Sequence, residues 1–228
     1  NRVFWNFQGE PTTEIRRRVT PQYADWVDYG PDRVRVQDGL SVRQPPGTYT
    51  VTLEVNGEEY STDLRVLKDP NSDGDLSDIR AQLALMEEIQ QDHQAASEAI
   101  NQIEWTRRQL QDLQVILEDR DDAEDLSESA GTLDLSLATI ESELFQLQLT
   151  GTGQDQVRYA TKLIGKLNHL AQVTSIGDFP PTDQAVEVQA LLRSLLMSAS
   201  ADLAALIDSE LADFNRTLRE RGLDPVIR

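Results

Sequence analysis

The stretch from about Asp75 to Arg120 constrains this chain more than any other. It contains no proline and, after Gly74, no glycine before Gly131. Two apolar sets repeat at seven: Ile79, Met86, His93 and Ile100, then Ile89, Ala96, Ile103, Leu110 and Leu117. They lie three residues apart and form one a/d-type stripe on a helix polar elsewhere. At about 1.5 Å per residue the helix would be roughly 70 Å long. A helix of that length with one apolar seam is not stable alone in water, so the remaining chain must supply helices for it to pack on.

Three later segments have the required pattern. Thr132 to Leu149 offers Leu133, Leu137, Ile140, Leu144 and Leu147, and Gly151 ends it. Asp155 to Ser175 offers Val157, Ile164, Leu167, Leu170 and Val173. Gly177 to Asp183 is a break, with Thr182 or Asp183 as N-cap of a helix reaching about Arg221. That helix offers Val188, Leu192, Leu195, Ala199, Leu203, Leu206, Phe214 and Leu218, and Gly222 stops it. The acidic run Glu118–Ser129 reads as a loop. Together these predict an antiparallel four-helix bundle over 76–228.

Residues 1–68 read as β-structure. Val3, Trp5 and Phe7 alternate with Phe4, Asn6 and Gln8, which predicts a strand, and Arg16–Val19 suggests a short one. From Pro45-Pro46-Gly47 a strand is launched with Tyr49, Val51, Leu53 and Val55 on one face. Asn56-Gly57 is a type I′ turn signal, because both central residues need positive φ. The return strand, Glu59 to Leu67, brings Tyr60, Leu64 and Val66. Asp69 to Asp75 links the two halves and spells the first half of a calcium loop. The acid expected at its twelfth position is Arg80, and the same residues serve turns and helix capping, so no metal site is predicted.

The 228 residues carry 21 basic and 40 acidic side chains, a net charge of −19. Residues 69–228 hold 12 of the former against 30 of the latter, and Lys68, Lys162 and Lys166 are the only lysines. Such a surface repels phosphate, which argues against nucleic acid, and suits either a salt-adapted, soluble chain or an acidic docking surface for a basic partner. Without cysteine there is no disulfide and no thiolate metal site. The first residues are not a signal peptide, and no run reaches about 18 apolar residues, so no membrane span is predicted.

Catalytic constellations are not found. His93 lies on the seam as an interhelical hydrogen-bonder, and His169 stands far from it without a Glu-x-x-His pattern. Glu141 and Glu143 form an acid pair of the type glycosidases use, but residues two apart on a helix point in different directions. Gly151-Thr152-Gly153 lacks the context of a phosphate loop. Trp5, Trp26, Trp105 and Tyr49 are candidates for a sugar-stacking platform, weighed against burial in the β-part. Catalytic, cofactor and metal residues are therefore all predicted to be none.

Several segments resemble one family. These are Asn1-Arg-Val-x-Trp-Asn, Pro45-Pro-Gly-Thr-Tyr-Thr-Val, Asn56-Gly, Lys68-Asp-Pro-Asn, Ile103-Glu-Trp, Leu149-Thr-Gly-x-Gly-Gln-Asp and Phe179-Pro-Pro-Thr-x-Gln. They resemble the C-terminal region of bacterial BNR/sialidase-repeat, sortilin-like (Vps10-type) β-propeller proteins often labelled glycosyl hydrolases. The resemblance implies an Ig-like β-sandwich followed by a helical segment, and an exported parent whose sugar or peptide site lies in the propeller. No propeller repeat occurs here, so no functional residue carries over.

The expectation is an α+β chain: an incomplete Ig-like β-sandwich over 1–68, a linker over 69–75 and a four-helix bundle over 76–228. The expected role is a non-catalytic accessory or interaction module, with a carbohydrate- or protein-binding module as the alternative and a glycoside hydrolase fragment as the second. Expected partners are the upstream propeller, another chain completing the sandwich, or a second copy. The both-faced apolar run Val3–Phe7 further predicts a fragment or processed product whose first strand a partner completes, unless Arg16–Val19 or Leu40–Arg43 folds back beside it.

Overall fold

The computed structural model describes residues 2–19, 35–118, 120, 122–149 and 155–226. Helix accounts for 58% of the described residues and no sandwich forms among them, which corrects the α+β expectation. Helix α1 spans Leu76–Leu117, and Asp75 caps it in a reciprocal box with Asp78. Every residue of the predicted seam is buried, with Ile89, Ile100, Ile103 and Leu110 sealed completely. Five further helices follow among the described residues: α2 (Glu124–Leu144), α3 (Asp155–Arg158), α4 (Leu163–Thr174), α5 (Asp183–Leu206) and α6 (Ala212–Glu220). A π-turn over Ile207–Leu211 joins α5 to α6 in one continuous helix.

Side-chain pairing defines the topology. Gln114 meets Ser127, Arg107 meets Asp134 and Glu141, and Gln82 meets Gly177 and Phe179. So α2 descends along the upper half of α1, and the chain continues down past α4 along the lower half. The last helix climbs again: Asp92 binds Gln189 and Arg193, and Asp125 near the top pairs with Arg221. The molecule is a long three-layer bundle whose descending layer is cut in two, not four full-length helices.

That cut is where the helix boundaries depart from expectation. The acidic stretch expected as a loop already starts α2, with Glu124 and Asp125 at the favourable positive end. At the other end α2 stops at Leu144, not Leu149. The helix expected over 155–175 is broken between Arg158 and Leu163, where Gln146 Nε2 holds the Ala160 carbonyl at 2.8 Å. Val157, expected in the core, is 82% exposed, and Val173, Val188 and Leu195 are likewise exposed.

The N-terminal part lies along α1. Strand β1 (Ile15–Arg17) pairs antiparallel with β2 (Arg35–Gln37). Residues 7–12 run beside 40–44, through Gly9 N to Val42 O at 2.9 Å, Thr12 N to Leu40 O at 3.0 Å and Gln44 N to Phe7 O at 2.7 Å. Leu40–Arg43 thus folds back, and Val3–Phe7 is not a strand. Three amides of α1 stand in for a neighbouring strand: Gln90 donates to Glu10 and Leu40 carbonyls, Gln94 accepts from Thr13 N, and Asn101 binds both Glu14 and Arg16. Ile15, Val19 and Val42 are buried there. These are the apolar groups a sandwich would have needed, and the flank of α1 takes them instead.

The hairpin is left to itself. Strand β3 (Gly47–Val55) pairs with β4 (Glu58–Val66) through a turn with Asn56 at φ 55° and Gly57 at φ 84°. That is the positive-φ pair the Asn-Gly signal predicts. No third strand joins it among the described residues.

Candidate functional site

The chain's densest chemistry is buried where β1 crosses α1 and α2. Glu104 and Arg107 lie one turn apart on α1, while Asp134 and Glu141 lie two turns apart on α2. Arg107 Nε donates to Asp134 at 2.8 Å, and its Nη1 donates to Glu141 Oε2 at 2.6 Å. Glu104 accepts from the backbone N–H of Arg18, from that of Val19 at 2.8 Å and from Arg17 Nε at 3.4 Å. Arg17 also donates to the Leu149 carbonyl at 3.0 Å and stacks over Phe145. Glu104 and Glu141 are wholly inaccessible to solvent.

Two arginines thus face three carboxyl groups. Burial pushes the Glu141 carboxyl up to about 8, the Glu104 charge adds to this, and Arg107 opposes it. Glu141 Oε1 has no donor to accept from. A proton on that oxygen resolves both facts: it donates toward Glu104, and the cluster becomes electrically balanced. Glu104 and Glu141 are sealed from solvent, and the cluster ties β1, α1 and α2 to one another. Glu143, the other half of the acid pair, points away and lies 3.7 Å from Lys162, with its side chain 70% exposed.

The other sequence candidates fall in separate places. His93 is sealed, with Nδ1 2.8 Å from Thr12 Oγ1 and 3.3 Å from Ser97 Oγ. Desolvation lowers its pKa to about 4, against a weak pull from Asn168, which does not reach full hydrogen-bond geometry with Nε2. His93 is thus neutral and ties the N-terminal segment to α1. His169 is exposed elsewhere. In the 69–75 linker Asp69 accepts from Asn71 N at 2.8 Å, and Asp75 is consumed by capping. Gly74 is required by close approach, since a Cβ there would sit 1.8 Å from the Asp178 carbonyl oxygen. No acidic or histidine cluster able to hold a metal occurs among the described residues.

Trp5 does meet Tyr49 edge-on at 5.0 Å and Phe7 at 5.1 Å. Trp105 is half exposed and stacks under Arg18 instead, and Trp26 lies outside the described residues. On the hairpin, Val51, Leu53, Val55, Tyr60 and Leu64 are all at least 40% exposed. The helix Asp183–Glu220 is long and apolar enough to cross a membrane by length and composition alone, and a third of its most apolar 18 residues is buried in the bundle. Its Arg193 pairs with Asp92 at 2.9 Å and Glu88 at 3.1 Å on α1.

A signal for the sealed cluster does exist in the sequence. The heptad Ile79, Met86, His93, Ile100 continues to Arg107, and a charge at a seam position requires buried counter-charges. Asp134 and Glu141, seven apart and beside the apolar positions of α2, supply them.

Fold and site together define a helical-bundle module with a sealed ionic core and an uncovered β-hairpin. No protein-family model, curated protein or solved structure matches the chain.

Proposed function

We propose that the chain is a non-catalytic interaction module, docked through its hairpin onto the β-propeller of an exported parent protein. The observation that carries this is the uncovered apolar face of β3–β4. An isolated two-stranded hairpin is marginal in water and needs a surface against one face. Here Tyr49 faces Leu64 and Leu53 faces Tyr60 across the register, with Val51 and Val55 beside them opposite Thr62 and Glu58, while the other face is polar from Thr48 and Arg65 to Glu54 and Glu59. Trp5 and Phe7 extend the apolar strip at its base. The choice of a propeller, and of export, rests on the sequence resemblance. A carbohydrate-binding reading is weaker, because the aromatic side chains it requires are split between the hairpin base and α1.

The test is hydrogen–deuterium exchange of amides 47–66 in this chain alone and in the product of its whole reading frame. Slowed exchange along β3–β4, accompanied by propeller repeats upstream, is the expected result. Equal exchange in both proteins would remove the docking role.

A further inference from the structure

Beyond the hairpin, and independent of it, the cut in the descending layer leaves a half-open groove of about 1340 Å³ between α4 and α5. Its two walls differ in chemistry. On α4 and its N-cap, Lys162 and Lys166 stand four residues apart and form a cationic pair, with His169 three residues further along the same wall. On α5, Val188, Leu191 and Leu195 recur at three and four residues and form an apolar stripe, each 42–58% exposed.

Two features indicate the occupant. The volume exceeds the roughly 300–1,000 Å³ of small-molecule pockets and suits the inserted face of a polypeptide. The charge is the inverse of the protein's own: two of its three lysines stand here, in a chain of net charge −19, against one lining acid, Asp38. Lys166 makes no ion pair among the described residues, and Lys162 has only its loose contact to exposed Glu143. We propose that this groove binds an amphipathic helix of a partner protein, apolar along one stripe and acidic beside it. The apolar stripe supplies most of the affinity, as in other helix-in-groove complexes, and the lysines select the acidic flank. At 0.15 M salt the screening length is about 8 Å, so a seated helix senses these cations more than the distant acidic surface.

The probe is a labelled 21-residue synthetic helix with leucines at a/d spacing and glutamates flanking them, titrated by fluorescence anisotropy at 0.15 M salt. A matching helix with lysines in place of the glutamates is the control. The acidic helix is expected to bind and the basic one not. The K162E/K166E double variant should weaken binding roughly tenfold, as two exposed ion pairs warrant. Leu191→Asp should weaken it at least as much. All three sites are on the surface, and unchanged melting temperatures confirm that the variants fold. Equal binding of both helices, indifference to either variant, or no binding of the acidic helix overturns the proposal. So does self-association abolished by K162E/K166E, which would give the groove to a second copy. Binding seen only after residues 20–34 are deleted would give the groove to the chain itself, and overturns the proposal equally.

Discussion

Replacing Glu141 by glutamine isolates the buried proton. The Glu141 carboxyl is raised from about 4.5 to about 8 by the fold. A group raised in this way stabilises fully below its unfolded pKa, and the contribution is lost as pH rises through its folded pKa. Between 4.5 and 8 the folded chain holds a proton that the unfolded chain has released, so stability falls with pH by up to about 1.4 kcal/mol per unit. His93 works in the opposite sense. Its pKa drops from 6.5 to about 4, so its contribution is present above 6.5 and lost as pH falls toward 4.

The two slopes oppose each other below pH 6.5, and Glu141 acts alone from 6.5 to 8. Across that window the native protein should lose at most about 2 kcal/mol through this group. Glu141→Gln keeps the shape, offers Glu104 an N–H in place of the O–H, and has no proton to lose. Urea unfolding of both proteins at pH 6.5, 7, 7.5 and 8, at fixed salt, gives the difference free of other titrating groups common to both. The variant should gain on the native protein steadily across the window and be the more stable at pH 8. Parallel pH slopes would refute the buried proton, and a native protein that gains on the variant as pH rises would refute it outright.

Ile103 is sealed at the centre of the seam, so Ile103→Asp buries an unpaired charge and should cost upwards of about 4 kcal/mol. Circular dichroism should show lost helicity, and an unchanged melting curve would place the seam at the surface. Millimolar calcium should leave the melting temperature unchanged, because Asp69 and Asp75 are engaged in turn and cap. A rise of several degrees that Asp73→Ala abolishes would establish a calcium site. Gly74→Ala drives a methyl into the Asp178 carbonyl and should cost about 1–3 kcal/mol, seen as a lower melting temperature.

The long helix and the hairpin were legible because each rests on local chemistry: a seven-residue repeat held over forty residues, and an Asn-Gly pair that only positive φ satisfies. The sandwich was not legible, because its fate turned on a competition. Ile15, Val19 and Val42 have the same alternating pattern whether they cover a sheet or a helix. What decided it was Gln90, Gln94 and Asn101, spaced to satisfy an extended backbone lying on α1. Sequence period reports that a residue is buried, and not against which element. The same limit explains α3 and α4: Val157 fits the apolar repeat of its neighbours, yet the chain turns out at Ala160 and leaves it in solvent. The groove's cations were visible as the rarest residue type among the charged side chains, but their common wall is a product of that turn.

What the ionic cluster contributes is best seen by sliding α2 along α1. A shift of one heptad keeps leucine against isoleucine, so the apolar seam alone discriminates poorly between registers. Asp134 and Glu141 are themselves one heptad apart, and the shift would leave Arg107 with one acid while burying the other without a partner. An uncompensated buried charge costs about 3–5 kcal/mol, enough to exclude the slipped pairing. The cluster therefore selects a register more than it adds stability, as a buried polar residue does in coiled coils. The consequence is testable with the triple change R107L/D134L/E141L, which leaves the Glu104–Arg17 pair balanced. It should melt at the same temperature or higher. Distances between spin labels at exposed Asp112 and Glu128 should broaden from one population to two, because a seven-residue slip carries α2 about 10 Å along α1. A single sharp distance in the triple variant would show that the leucine seam sets the register unaided.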